Sequence, residues 1–212
     1  ISKNKIEVLG YQNFIIDDNK VMPMDIGHKW AKSKTKFDIV KNCILDINHI
    51  KIKTYADLGC NLGMYVFFAA LEMKIESVTG IDYNNEYLNT IQRIASDLKI
   101  NIKTLNKKFT MIDESYDLLT CLGIIHHLYS RTDNLSNLLE IMKRLFSLTN
   151  KFLIVEFPTE KDLKAKQWVS SNLHLKNDYS KKNFMKVSKK LFKKVSYIGE
   201  TTKERPIYLL EK

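Results

Sequence analysis

The residues best suited to chemistry lie in segment 54–63, where an apolar run leads into Asp57-Leu58-Gly59-Cys60-Asn61-Leu62-Gly63. A strand, a glycine-bearing turn and a helix in that order bring backbone N–H groups and a helix N-terminus against a ligand. Gly59 permits the ligand to approach closely, and Gly63 permits tight helix packing. Asn61 tolerates a left-handed backbone. The segment therefore predicts a ligand-binding turn.

A second acid, Asp82, ends the next predicted strand, where a carboxylate can accept both hydroxyls of a ribose. Tyr83 offers a flat face beside an adenine. A dinucleotide would require Gly-x-Gly-x-x-Gly, whereas this chain has Gly-x-x-x-Gly and an acid two residues before the first glycine. This pattern fits a ligand with a cationic amino-acid end and no pyrophosphate. The alternative is an α/β domain whose glycines only cap a helix.

The elements that must position these residues alternate between strand and helix from residue 52 onward, which is typical of a parallel sheet covered by helices. Asn84 and Asn134 occupy expected N-cap positions. The predicted strands are 54–58, 77–82, 100–106, 116–122 and 151–157, and the predicted helices are 62–73, 86–98 and 135–148.

After Pro158 the sequence predicts two lysine-rich helices and a closing antiparallel strand pair. The ranges are 160–173 and 181–190 for the helices, and 193–198 and 206–211 for the strands. The fold class is therefore α/β, a doubly wound, mostly parallel seven-stranded sheet with helices on both faces and an antiparallel C-terminal pair. Residues 1–50, with a helix at 37–48, are expected to form an N-terminal helical extension or lid over the active site. Residues 51–212 form the ligand-binding domain.

The net charge of +10 is concentrated near the C-terminus, because residues 161–212 hold 14 basic and 5 acidic residues. Only four basic residues of the chain are arginines, the side chains best suited to phosphate recognition. A solvated lysine surface is therefore favoured over nucleic-acid contact, which stays possible.

Two further features limit the class of protein. The longest apolar run, residues 64–71, is far shorter than the ~20 residues of a membrane span, and the charged first residues do not resemble a secretory signal. We therefore expect a cytoplasmic protein with no membrane partner. Three cysteines without a Cys-x-x-Cys pair predict buried thiols, not disulfides or a zinc site.

Across residues 54–157 the sequence resembles the class I S-adenosylmethionine-dependent methyltransferases of small-molecule type. The segment 57–63 is similar to their first motif and Gly80-Ile81-Asp82-Tyr83 to their second. Residues 116–121 and 153–156 are similar to their fourth and fifth strands. The resemblance implies that S-adenosylmethionine is the cofactor and S-adenosylhomocysteine the product.

The resemblance also implies roles for individual residues. Asp57 and the glycine turn would hold the methionine moiety, and Asp82 the ribose. Asn106 stands where many members carry an acid for the adenine amine, and its side-chain carbonyl can accept the same hydrogen bond. The expected cofactor-binding residues are Asp57, Gly59, Cys60, Asn61, Gly63, Asp82, Tyr83, Asn106, Leu122 and Gly123.

The catalytic candidates are His126 and His127, which follow the fourth predicted strand at the lip where the reactive methyl should point. A hydroxyl acceptor must lose its proton, and imidazole titrates in the useful range, so His126 is the expected base. A capping or orienting histidine is the alternative. His127 is expected to point elsewhere and could make a structural hydrogen bond. Adjacent histidines cannot converge on one ion, so no metal site is expected.

Acceptor binding is expected from the N-terminal extension and from the segment after the fifth strand. Trp30 and Tyr179 have alternative uses as structural aromatics. The substrate-binding candidates are His28, Trp30, Glu156 and Tyr179.

Together these features predict O-methylation of a small hydroxyl-bearing metabolite such as a sugar or a biosynthetic intermediate. A transfer RNA-modifying methyltransferase is the first alternative, because of the basic C-terminal face and the loop at 122–127. A non-catalytic relative that binds the cofactor is the second.

Overall fold

The computed structural model describes residues 5–10, 12–24, 28–47, 49–131, 137–170 and 178–212. The chain divides into two compact units, Ile1–Lys107 and Lys108–Lys212. In these described ranges no helix is long and apolar enough to span a membrane. The predicted N-cap at Asn134 lies outside them, as do residues 171–173 of the helix predicted at 160–173.

The first unit begins with a small antiparallel sheet that the sequence analysis missed, since only a helix was expected before residue 50. Its short strands are β1 (Ile6–Val8), β2 (Phe14–Asp17) and β3 (Lys20–Pro23). Asp18 and Asn19 form the β2–β3 turn with φ angles of 47° and 61°. Two turn-forming residues between segments that alternate apolar and polar side chains indicate a β-hairpin, so the sequence contained this information.

The rest of this unit follows the predicted strand–helix alternation. The bounds are α1 (His28–Ile47), β4 (Thr54–Leu58), α2 (Met64–Leu71), β5 (Ser77–Ile81), α3 (Asn85–Asp97) and β6 (Lys103–Leu105). The predicted helix at 37–48 is confirmed as the second half of the longer α1. The strand expected at 100–106 was too long, because only three of its residues pair with β5.

Two helices of this unit bury different amounts of their surface. Helix α3 places Leu88, Ile91 and Ile94 on one buried stripe, and the Asn84 side chain caps it by accepting a hydrogen bond from Glu86 N at 2.9 Å. The predicted cap at Asn84 is confirmed. Helix α2 is apolar on all sides and is buried almost throughout, so it belongs to the core.

Glu72, directly after α2, joins the small sheet and α1 to this core. One carboxylate oxygen accepts a hydrogen bond from Val21 N at 2.8 Å, and the other lies 2.6 Å from Lys41 Nζ. The ring of Phe14 in β2 packs 6.0 Å from that of Phe67 in α2. The N-terminal segment is therefore packed onto the unit that carries the glycine turn.

The second unit starts with a 3₁₀ turn at Phe109–Met111 and contains the C-terminal strands. Its elements are β7 (Tyr116–Leu122), α4 (Ile125–Arg131), α5 (Leu138–Ser147), β8 (Thr149–Glu156), α6 (Leu163–Ser170), α7 (Lys181–Leu191), β9 (Lys194–Glu200) and β10 (Pro206–Glu211). Strands β7 and β8 are parallel, whereas β10 pairs antiparallel with both β8 and β9.

The predicted fold class is confirmed. Seven strands form one mostly parallel sheet in the order β6-β5-β4-β7-β8-β10-β9, and the last two are the antiparallel C-terminal pair. The carboxyl ends of β4 and β5 carry the glycine turn and Asp82, while the carboxyl ends of β7 and β8 carry the histidine segment and Glu156. Each unit therefore carries its own group of candidate residues.

Helix α5 provides a stability test, because the side chain of Asn137 caps its first turn. Asn137 accepts a hydrogen bond from Glu140 N at 3.0 Å. Replacing Asn137→Ala should lower the free energy of unfolding by about 1 kcal/mol, as measured by urea denaturation. Asn137→Ser keeps a capping oxygen and should retain most of the stability. Equal losses in both variants would contradict the capping role.

Candidate active site

The glycine turn after β4 is held by the carboxyl end of β5. Gly59 N and Cys60 N both donate to Ile81 O, at 2.8 Å and 3.1 Å. Asn61 N donates to a carboxylate oxygen of Asp82 at 2.9 Å, and Asn61 has the predicted left-handed backbone, with φ 54°. Three consecutive N–H groups are thus fixed by the neighbouring strand, which gives the turn one defined shape.

Gly63 ends the turn and precedes α2 with a φ of 86°, a conformation that favours glycine. A Cβ atom at this position would lie 2.8 Å from Ile91 Cγ1 of α3. The close packing predicted for Gly63 is therefore present. Because its backbone is left-handed, Gly63 cannot be part of the helix, which begins at Met64 and not at the predicted residue 62.

Asp82 has a second structural contact and still has acceptor capacity. Its other carboxylate oxygen accepts a hydrogen bond from Asn84 N at 3.0 Å. A carboxylate has about four lone-pair positions, so two contacts to backbone leave capacity for ribose hydroxyls. The next residue, Tyr83, is 81% exposed, which leaves its ring open to a flat partner.

Asn106 is oriented by backbone contacts from the same strand end. Its Nδ2 donates to Asp82 O at 3.2 Å and to Tyr83 O at 2.9 Å. These contacts fix which side of the amide carries the nitrogen, so Oδ1 is the side that can accept a hydrogen bond. This orientation agrees with the role expected for Asn106 toward an adenine amine.

Electrostatically, the surroundings of the glycine turn are negative. Asp57 and Asp82 are both buried. Burial, followed by the charges of Asp57 and Asp82, raises the pKa of the Cys60 thiol well above its ordinary value. The thiol is therefore protonated and unsuited to nucleophilic attack, while the two carboxylates favour a cationic ligand group. All three cysteines are buried free thiols, as predicted.

The N-terminal segment reaches the glycine turn at one point. A Cβ atom on Gly10, between β1 and β2, would lie only 2.5 Å from Leu62 Cδ1. The loop that contains Gly10 therefore lies directly against the turn. The role of residues 1–50 as a lid stays a prediction.

The second group of candidate residues follows β7. Leu122 ends the strand, Gly123 has a φ of 70°, and helix α4 then carries His126 and His127. The expectation that His127 points away from His126 was wrong, because their ring centroids are 4.0 Å apart. The His127 ring also contacts the Trp168 ring of α6 edge-on at 4.9 Å. Three rings are therefore in contact in series, with His127 in the middle, and we call them the histidine–tryptophan cluster.

His126 is held as a neutral imidazole. It is only 2% exposed, and its Nδ1 has no hydrogen-bond partner among the described residues. Burial is the main cause that lowers its pKa to about 3, with further lowering by His127, Arg205 and Lys164 and an opposing effect of Asp162. The imidazole therefore does not titrate near neutral pH, contrary to the expectation from the sequence. Its part as a base stays a prediction.

Arg205 and Asp162 were not predicted, and they lie beside the histidines. Arg205 Nε and Nη2 donate to the two carboxylate oxygens of Asp162 at 2.8 Å and 3.0 Å. Asp162 also accepts a hydrogen bond from Ala165 N at 2.9 Å, so it caps α6, and Arg205 Nη1 lies 3.8 Å from Glu156. This chain of charges fixes the helix that carries Trp168. The signal in the sequence that could have singled out Arg205 was the rarity of arginine in this chain.

The expected acceptor-binding residues have internal contacts where the structure describes them. Glu156 is fully buried and accepts a hydrogen bond from Thr201 Oγ1 at 2.8 Å. Tyr179 donates to Pro158 O at 2.6 Å and stacks on Phe157, which favours its structural use. His28 and Trp30 fall in the first turn of α1, but the structure does not describe their side chains.

In the described ranges no three His, Cys, Asp or Glu side chains could hold a metal ion together.

Comparisons with known proteins concern the family and the fold of the chain. A family model described as a methyltransferase domain matches residues 50–199. A transfer RNA U34 carboxymethyltransferase of Helicobacter pylori strain P12 is 27% identical over 151 residues, which cover 66% of this chain and 54% of that protein. The chain therefore spans about half the length of the curated relatives it matches.

Solved structures of low sequence identity share the fold. The magnesium protoporphyrin IX methyltransferase of Synechocystis PCC 6803, solved with bound S-adenosylmethionine, has a TM-score of 0.62 and 13% identity, covering 89% of this chain and 86% of that one. The 16S rRNA methylase RmtB has a TM-score of 0.54 and 18% identity, covering 87% and 65%. Proteins with this fold thus include enzymes named for a small molecule and for RNA.

The neutral state of His126 makes a testable contribution to acid stability. In the unfolded chain a histidine has a pKa of about 6.5, whereas in the fold that of His126 is about 3. Between these values the unfolded chain binds one more proton, so the free energy of unfolding should fall as the pH is lowered from 6.5. His126→Gln should reduce this slope in urea denaturation at pH 7 to 4.

The matched control is His49→Gln, at an exposed histidine, which should keep the wild-type slope. A His126→Gln variant with an unchanged slope would show that this imidazole is charged in the folded protein.

Proposed function

The chain belongs to the methyltransferase domain family, and on that premise we propose that it transfers a methyl group from S-adenosylmethionine to a base in transfer RNA. The family match confirms the recognition from sequence and the enzyme class, and with them the expected cofactor. The acceptor is the new part of the proposal. A cytoplasmic location belongs to it as well, because three free thiols are typical of a reducing compartment.

The cofactor contacts are assigned to the first unit. Asp82 accepts the ribose hydroxyls, and Asn106 Oδ1 accepts from the adenine amine. The fixed turn of Gly59, Cys60 and Asn61, with the negative charge of Asp57 behind it, holds the cationic amino-acid end. These assignments are supported by the hydrogen bonds that orient Asp82 and Asn106 and by the burial of Asp57.

When bound, the cofactor would supply a methyl carbon that a nucleophile can attack in line, with the carbon–sulfur bond breaking and neutral S-adenosylhomocysteine leaving. Such a displacement depends mainly on alignment, which a rigid site provides. The ion chain of Glu156, Arg205 and Asp162 fixes helix α6, whose Trp168 ring packs edge-on against His127. His126, as a neutral imidazole, can accept a hydrogen bond from the N–H or O–H of an acceptor and orient its lone pair.

The observation that carries the choice of acceptor is the match to transfer RNA-modifying relatives over 66% of the chain. The second supporting observation is the excess of lysine in the C-terminal quarter. The sequence analysis ranked a small metabolite above RNA, whereas these relatives support RNA as the first candidate.

O-Methylation of a small hydroxyl-bearing metabolite is the second candidate. It is favoured by the burial of His126, since a buried imidazole is reached more readily by a small acceptor than by a nucleotide within a polymer. The two candidates differ in the acceptor, and they share the cofactor contacts.

The assignment of Asp82 predicts a loss of cofactor affinity on Asp82→Asn. The amide keeps one acceptor oxygen and presents an NH₂ group where an acceptor is needed. Calorimetry with S-adenosylhomocysteine should show binding weakened by about tenfold or more, equal to about 1.4 kcal/mol. Asp97→Asn, at an exposed position of α3, is the matched control and should bind normally. Unchanged affinity in a folded Asp82→Asn protein would refute the ribose contact.

The acceptor is tested by transfer of label from S-adenosylmethionine labelled in the methyl group. We expect label in unmodified transfer RNA transcripts, and no label when the wobble uridine of the transcript is replaced by cytidine. Label that appears only in the small-molecule fraction of a nucleic-acid-free extract would refute the RNA acceptor and support the metabolite.

A further inference from the structure

Helix α7 and the residues after it carry a concentrated positive surface. From residue 181 to residue 194 the chain has seven lysines and no acidic residue. All seven are exposed. We define the lysine face as Lys181, Lys182, Lys186, Lys189, Lys190, Lys193 and Lys194.

The opposite side of α7 fixes this face in place. Phe184, Val187 and Ser188 are buried, and the Phe184 ring stacks on Phe157 of the segment after β8 at 4.4 Å. Ser180 caps the helix by accepting a hydrogen bond from Asn183 N at 3.2 Å. The lysines therefore project from a rigid helix whose orientation is set by core packing.

The arrangement of charge opposes the stability of the isolated helix. Lys182, Lys186 and Lys190 are spaced i, i+4, i+8, where like charges repel. Lys181 and Lys182 lie in the first turn, where the helix dipole disfavours positive charge. Two carboxylates offset part of this charge: Glu160 accepts a hydrogen bond from Lys181 N at 2.9 Å, and Asp178 accepts one from Asn183 Nδ2 at 3.2 Å. Among the described ion pairs none includes a lysine of this face.

An anionic partner would remove this repulsion, and the surface favours RNA among such partners. Large exposed apolar side chains, such as Leu163 and Tyr197, lie outside residues 181–194. A membrane-binding helix needs apolar residues to insert, and a protein interface needs an apolar centre. A solvated row of lysines without either is suited to a phosphate backbone.

The dimensions of the face fit a nucleic-acid strand. At 1.5 Å per residue, Lys182 and Lys190 lie about 12 Å apart along the helix axis. One strand of a duplex presents about three to four phosphates over that length. Four lysines, at positions 182, 186, 189 and 190, occupy the same span.

The face begins beside the candidate catalytic helix. Tyr179 directly precedes the capping residue of α7, and its ring lies 5.0 Å from the ring of Tyr129. Tyr129 lies one turn after His126 in α4. A strand held along α7 would therefore have one end close to helix α4, which carries the two histidines of the histidine–tryptophan cluster. We propose that the lysine face binds the phosphate backbone of the RNA whose base is modified, an inference that rests on the proposed function.

The test is a variant with Lys182, Lys186, Lys189 and Lys190 all replaced by Gln, which keeps helix propensity and removes four charges. The matched control replaces Lys34, Lys99, Lys108 and Lys143 by Gln, four exposed lysines spread over the chain. Both variants change the net charge equally, so only the location of the charge differs. Thermal melting should show that both remain folded, with the lysine-face variant at least as stable as the control at low salt.

Binding is measured with an unmodified transfer RNA transcript over a range of salt concentrations. The lysine-face variant should bind at least tenfold more weakly at 0.1 M salt, and the slope of log affinity against log salt should become shallower by about 3. The control should differ from the wild type by less than threefold.

Equal RNA affinity of the two variants would overturn the lysine face and leave the proposed function intact. A wild-type chain that binds no transcript would overturn both, whereas transfer of label to RNA with no effect of the lysine-face variant would overturn only the surface. Binding to vesicles rich in phosphatidylserine without binding to RNA would show that the partner is a membrane, and would also overturn the proposal.

Discussion

The candidate cofactor site depends on the hydrogen bonds between the end of β5 and the turn after β4. Ile81 O and the Asp82 carboxylate accept from three successive N–H groups of Gly59, Cys60 and Asn61. Without these acceptors the turn would have no fixed shape, and its left-handed residue would be strained. Asp82 thus has a structural use and a proposed binding use. A side chain already fixed in position loses little further entropy when a ligand arrives.

Burial has a different consequence in the second unit. His126 occupies the position where the sequence suggests a proton acceptor, but removal from water and nearby positive charges favour its neutral form. An imidazole with so low a pKa is better suited to orient an acceptor through a hydrogen bond than to take up a proton from it. This agrees with a displacement at a sulfonium, where alignment contributes more to the rate than proton transfer does. The ion chain through Arg205 serves the same purpose, since it holds Trp168 against the histidines.

Charge differs in sign between the glycine turn and the lysine face. The glycine turn is next to two buried carboxylates, whereas the lysine face of α7 has seven exposed cations. A cationic cofactor and a polyanionic acceptor would thus meet surfaces of opposite sign. Complementary potentials of this kind contribute to specificity and to the rate of association more than to affinity.

The sequence by itself determined the β4–turn–α2 segment, Asp82, the Asn84 cap and the antiparallel C-terminal pair, because each depends on contacts close along the chain or on a strict apolar period. It could not determine the pKa of His126, the contact of His127 with Trp168, or the fork of Arg205 on Asp162. These depend on residues that are about 40 positions apart or more and meet only in the folded chain. Burial and charge pairing are properties of the tertiary structure, so a residue's type gives its chemistry, and packing decides the form in which that chemistry is used.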